Sequence, residues 1–314
     1  MSKKLRIRRV LEFGKPRYHL YSAHFLCKFA NDFIKKINME QKERVLYVSQ
    51  EVTPYLPESH IGTIGRHLPQ GTQERGREIR TFMPRFGCIN ERRNQLHEVI
   101  RLSGMNLIVD DTDHPLIIKV ASIQPARMQV YFIDNEEYFQ RKFFLSGRDG
   151  KFFSDNDERA IFFCRGVIET VKKLGWAPDV IHCNGWMTAL LPFLIKTVYK
   201  DDPLFMNSKI VYSVYNDSYE GSLDERFAEK VKFDTLTDED VAQFTDTTHF
   251  GFTKAGIKYA DAVIIGEEEL SPEAAAEITG CDKPILGFKD EETYLDAYSE
   301  FYTELLASEE VLAD

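Results

Sequence analysis

Three short stretches gather the side chains able to do chemistry. The first, Arg44 to Gly65, reads RVLYVSQEVTPYLPESHIGTIG. An apolar run, Val45-Leu46-Tyr47-Val48, leads into a loop with glycines at Gly62 and Gly65. Backbone amides at such a strand-to-helix turn suit a phosphate group. Here the loop has no lysine and its glycines are isolated. His60 and Arg66 are the cations at hand, with a polar loop residue and a surface helix residue as their plainer readings. The second stretch is His182-Cys183-Asn184-Gly185-Trp186. Asn184 can hydrogen-bond a hydroxyl but cannot change charge near neutral pH. Trp186 either stacks on a flat ligand face or fills the core at a helix start. The third is Val214-Tyr215-Asn216-Asp217-Ser218-Tyr219-Glu220-Gly221. Asn216 and Tyr219 are its candidates for polar contact with a ligand. Asp217 and Glu220 add two carboxylates of the kind a glycosidase uses, but their spacing carries no geometry, so acid/base work is set aside.

The elements that must position these residues alternate. Short β-branched runs predict buried parallel strands at Val45–Ser49, Ile79–Met83, Val180–Cys183, Lys209–Val214 and Ala262–Ile265. Helical patterns separate them at about 63–75, 156–174, 186–199 and 248–259. Leu116–Ile123 and Met128–Ile133 read as a β-hairpin inserted into the alternation. The fold class that follows is α/β: a doubly wound, Rossmann-like, mostly parallel sheet. Ligands in that architecture sit at the carboxyl ends of the strands, which places segments 49–65, 182–187 and 215–221 on one rim.

Composition narrows the setting. The chain has 314 residues, is 43% hydrophobic and carries a net charge of −10. Residues 1–38 hold ten Lys/Arg and two Asp/Glu, so the remainder is close to −18. An acidic body does not suit nucleic acid. No apolar run is long enough to span a membrane. Cys27, Cys88, Cys164, Cys183 and Cys281 are scattered without C-x-x-C spacing, which points to reduced thiols in the cytoplasm and to neither a zinc site nor any other cofactor. Residues 1–38 read as a basic extension upstream of a start at Met39, or as a basic arm or targeting segment. Residues 39–289 form the main lobe. Residues 290–314 carry nine acids and no base. They predict a C-terminal helix from about Glu291 to Leu306, with Leu295, Tyr298, Tyr302 and Leu305 on one face.

Several blocks together resemble the bacterial and plant glycogen/starch synthases of the ADP-glucose type. VLYVSQEVTPY matches the family's opening strand and Ser-Glu-Val-x-Pro loop. Phe82-Met83-Pro84-Arg85-Phe86, Val130-Tyr131-Phe132-Ile133-Asp134, Ser154-Asp155-Asn156-Asp157-Glu158-Arg159, Trp176–Cys183 and Gly256–Val263 match further blocks in order. The resemblance implies one lobe of a GT-B glycosyltransferase, the acceptor-side lobe, covering roughly Arg44 to Thr279. It implies an enzyme moving glucose from ADP-glucose to an α-1,4-glucan with retention, and it leaves the donor-holding lobe unmatched.

The departures fall on the rim. The family's Lys-x-Gly-Gly-Leu-Gly loop becomes Leu56–Gly65, with Glu58 near the lysine's place and Gly62 and Gly65 opposite two of its glycines. His-Cys-His-Asp-Trp becomes His182–Trp186, so Asn184 replaces a histidine that reaches the transferred sugar. Ile-His-Asn-Leu-Ala-Tyr-Gln-Gly becomes Val214–Gly221, so Tyr215 replaces another histidine. The expectation is a synthase-like lobe of α-glucan metabolism with weak or no independent transfer, a pseudoenzyme. The alternatives are an active transferase completed by a protein partner at the exposed cleft face, and a binder of a different small metabolite. α-Glucan and ADP-glucose are the candidate ligands.

Overall fold

The computed structural model describes residues 42–310, so the readings for residues 1–38 and a start at Met39 lie outside the described residues. Ten strands form one sheet: β1 (Arg44–Ser49), β2 (Glu78–Pro84), β3 (His97–Glu98), β4 (Met105–Val109), β5 (Thr112–Ile123), β6 (Met128–Asp134), β7 (Val180–Asn184), β8 (Lys209–Val214), β9 (Ala262–Ile265) and β10 (Ile285–Leu286). Their order is β10-β9-β8-β7-β1-β2-β6-β5-β3, with β4 paired to β5. Pairing is parallel from β10 to β6 and antiparallel where β5, β3 and β4 are added. The central strands are buried on both faces, as unbroken apolar runs such as Val45–Val48 require.

The main helices are α1 (His60–Glu74), α2 (Asn156–Leu174), α3 (Leu190–Lys196), α4 (His249–Tyr259), α5 (Pro272–Gly280) and α6 (Tyr294–Glu310). Between β7 and α3 the chain makes a 3-10 turn, Trp186–Thr188, so the helix expected over 186–199 is shorter and starts later. Among the described residues no helix is long and apolar enough to cross a membrane. The chain leaves β1 toward β2 on one side, while β7 continues to β8 on the other. This reversal opens a crevice at the carboxyl ends of β1 and β7, where a doubly wound sheet presents its ligand site.

The acidic C-terminal helix packs on one face of this sheet. Tyr294, Tyr298, Phe301, Tyr302 and Leu305 are buried. Arg77 donates to the Ser299 carbonyl at 3.2 Å and to Thr303 Oγ1 at 2.7 Å, anchoring the helix at the start of β2. Beneath it, the Tyr302 hydroxyl lies 2.6 Å from His182 Nδ1, and His182 Nε2 lies 2.6 Å from Ser213 Oγ. Tyr47 joins this network through Thr72 at 2.6 Å and Tyr302 at 3.4 Å.

His182 is thus a fully buried imidazole with both nitrogens satisfied by hydroxyls. Burial disfavours its charged form and lowers its pKa from 6.5 to about 3. The unfolded chain takes up the proton first on acidification, so stability from this group is complete above about pH 6.5 and lost as pH falls toward 3. Between pH 7 and pH 5 the loss is expected to be about 2 kcal/mol. Urea unfolding at both pH values, for the wild type and for His182→Gln, measures it. An equal pH dependence in the two proteins would contradict this account.

Candidate functional site

The loop after β1 turns sharply onto α1. Ser59 caps the helix: its Oγ accepts from the Gly62 N–H at 3.0 Å and donates to Glu51 Oε2 at 2.7 Å. Gln50 Nε2 holds the other carboxylate oxygen of Glu51 at 3.1 Å. A carboxylate of the chain itself therefore stands one hydrogen bond from the helix start, where positive partial charge favours an anion. That carboxylate is Glu51; Glu58, immediately before the cap, is exposed. Gly62 and Gly65 let the helix approach this loop. A Cβ on Gly65 would lie 2.5 Å from the Glu51 carbonyl oxygen, and one on Gly62 would lie 2.9 Å from Ser59 Oγ. His60 reaches across the rim, its Nε2 donating to the Gly266 carbonyl at 2.9 Å. Arg66 bonds along α1 to Gln70 at 2.6 Å.

At the ends of β7 and β8 the two substituted positions meet. The Tyr215 hydroxyl donates to Asn184 Oδ1 at 3.0 Å, and both residues are buried. Gly266 and His60 border the Tyr215 ring: a Cβ on Gly266 would lie 2.5 Å from it, and the His60 ring centroid is 5.9 Å away. Gly185 turns the chain at φ +89°, against the Gln50 side chain. A side chain there would be strained in conformation and would collide as well.

Beside this plug lies a cavity of about 630 Å³, bordered by Phe144, Phe152, Trp186, Asp217, Tyr219 and Glu220 among others. Phe152 stacks on Tyr219 with centroids 5.0 Å apart and planes at 19°. Trp186 meets Tyr219 edge-on at 5.0 Å. Asp217 sets this geometry. It accepts from the Trp186 backbone N–H at 2.7 Å and from His249 Nε2 at 2.9 Å, so it ties the β7 and β8 loops to the start of α4. Tyr219 donates to the Thr247 carbonyl at 2.9 Å. Asn216 turns away, its amide bonded to the Glu269 carbonyl.

The opposite wall, Phe144 to Phe152, is clamped by the first turn of α2. Asn156 Nδ2 donates to the Leu145 carbonyl at 2.8 Å and Arg159 donates to the Phe144 carbonyl at 3.0 Å. The Arg159 guanidinium is buried between the rings of Phe86, Phe139 and Phe153. Burial lowers its pKa to about 10, which leaves it charged at neutral pH.

Of the candidates read from sequence, Trp186 and Tyr219 come together on the cavity, and Asn184 lies buried behind it. His60, Gly62 and Gly65 lie on the α1 side of the rim, and Arg66 and Asn216 face other partners. Sequence reasoning missed His249, Glu51 and Phe152. The pairing of His249 with Asp217 spans 32 residues, and no local pattern signals it. Among the described residues no three His, Cys, Asp or Glu side chains converge to hold a metal ion.

Comparisons agree with this architecture. Residues 44–283 match the family described as starch synthase catalytic domain. A glycogen synthase of Chlorobium limicola is 40% identical over 189 residues, which is 60% of this chain and 39% of that protein. A glycogen synthase of Chlorobaculum parvum is 35% identical over 254 residues, 79% of this chain and 51% of that protein. The chain thus spans about half the length, or less, of these curated relatives. The catalytic domain of starch synthase IV from Arabidopsis thaliana, bound to ADP and acarbose, superposes with a TM-score of 0.64 at 18% identity over 80% of this chain and 52% of that one. That likeness is one of fold.

Proposed function

Because this chain belongs to the starch synthase catalytic domain family, we propose that it serves α-1,4-glucan metabolism by holding glucan, with weak or no independent transfer of glucose from ADP-glucose. The observation that carries this reading is the bond between Tyr215 and Asn184. Both stand where the family motifs have histidines, and here the Tyr215 hydroxyl is directed at Asn184 Oδ1 instead of at a sugar, while Asn184 Nδ2 has no partner among the described residues. Glu51 at the start of α1 adds a charge that opposes a diphosphate. Transfer needs a positioned donor, a neutralised diphosphate and a receptive acceptor at once. Losing a lysine contact and a histidine contact costs on the order of 2–4 kcal/mol each. Together they slow the reaction by roughly 10³–10⁶-fold. The free thiols of Cys88, Cys164, Cys183 and Cys281 support a reducing, cytoplasmic setting.

The test incubates the purified chain with labelled ADP-glucose and a glycogen primer and scores both glucose incorporated and protein pelleted with glycogen. Pelleting without incorporation is the expected result. Incorporation within about a hundredfold of an ordinary synthase would overturn the reading.

A further inference from the structure

We propose that the cavity beside the Tyr215–Asn184 plug is a subsite for a sugar carrying a protonated amine. The proposal rests on the reading of this rim as a saccharide surface and adds the charge of the ligand. A volume of about 630 Å³ admits a sugar unit or two. The half-buried rings of Phe152 and Tyr219 supply an apolar wall on which a sugar can pack, and the buried Trp186 ring supports Tyr219 from behind. Such rings also attract a cation through their electron-rich faces.

Among the described residues, the charged side chains bordering the cavity are both acids, Asp217 and Glu220, and no lysine, arginine or histidine borders it. They occupy positions where the family motif has leucine and glutamine, so this chain has placed two carboxylates on one wall. Asp217 is engaged by Trp186 and His249. Glu220 is exposed and, among the described residues, has no hydrogen-bond or ion-pair partner. The negative field extends behind the wall. Burial pushes the Tyr219 phenol up, and the charges of Asp246, Asp217 and Asp157 push it further the same way. Lys230, which answers Asp157, points into a separate buried cluster. A concave, aromatic, negative site concentrates cations and turns phosphates away.

Volume and walls separate an amino sugar from a simple ammonium ion, since a bare cation would leave the rings of Phe152 and Tyr219 uncovered.

The test is a titration of the full chain, followed by calorimetry, with three probes at pH 6.5: a glucosamine trimer, its N-acetylated counterpart and maltotriose. The glucosamine trimer is expected to bind about tenfold more tightly than either neutral trimer at low ionic strength. That preference should collapse in about 0.5 M salt, because the exposed Glu220 is screened. Glu220→Gln should reduce it to near parity, whereas Glu74→Gln, on the outer face of α1, should leave it intact. Equal or tighter binding of a neutral trimer, no response to Glu220→Gln, or no binding of any probe would overturn the proposal. Glycogen pelleting is scored separately on the same protein. Pelleting without an amine preference defeats the proposal and leaves the glucan reading standing. An amine preference without pelleting does the reverse.

Discussion

Replacing Tyr302 with alanine is expected to destabilise the protein by about 4 kcal/mol, and removing residues 290–314 is expected to abolish cooperative folding. The first figure is that of a large aromatic deleted from a packed core. Tyr302 is fully buried and belongs to α6, whose other buried residues include Tyr298, Phe301 and Leu305. Its hydroxyl also serves His182 and Tyr47, so truncation strands His182 Nδ1 and leaves Tyr47 with Thr72 alone. Tyr302→Phe keeps the ring and should cost only about 1–2 kcal/mol. Guanidinium unfolding of the two variants separates the contributions. A truncated chain that stays soluble and unfolds cooperatively would show that α6 is dispensable and that the face beneath it tolerates water.

The second large effect is expected at Lys230. Its ammonium lies 2.8 Å from Asp157, 2.7 Å from Glu158 and 2.8 Å from Asp224, with the side chain only 3% exposed. Burial alone would push this lysine down, but its three carboxylates more than offset that and hold it charged. Lys230→Ala leaves Asp157, which is wholly buried, without its countercharge. The expected cost is about 3–5 kcal/mol, the range for breaking a buried pair from one side. Removing both charges with Asp157→Asn and Lys230→Met should recover part of that loss, since neutral groups of similar shape carry a smaller desolvation penalty. A double variant no better than Lys230→Ala would mean that packing, not charge, dominates. The cluster joins the first turn of α2 to the segment that follows the Tyr219 loop, so Lys230→Ala should also weaken whatever binds in the cavity.

The legible parts of the fold were those with a strong local period. The buried runs at β1, β7 and β8 could be placed because parallel strands covered on both faces need unbroken apolar residues. The α6 stripe was readable for the same kind of reason, since Tyr298, Tyr302 and Leu305 recur at helical spacing. β3 escaped because two exposed residues, His97 and Glu98, carry no pattern. β4 escaped because its alternation covers only five residues. The start of α3 was displaced by Gly185, whose positive φ directs a 3-10 turn before the helix. The site was legible as three segments on one rim but not as a set of contacts. Tyr215 and Asn184 were each recognised as a changed position, yet only the register of β7 against β8 brings them together. The contact of Glu51 with the Ser59 cap carries no local signal, because it forms only when the loop folds back on its own beginning.

That fold-back gives the rim a competitor it cannot lose. Glu51 is tethered a few bonds from the cap it serves, so its local concentration there is at least millimolar and does not fall when the cell is diluted or starved. A free phosphate must displace this resident anion and then endure its repulsion. Fluctuations in the supply of a free phosphate ligand should therefore pass this loop unnoticed.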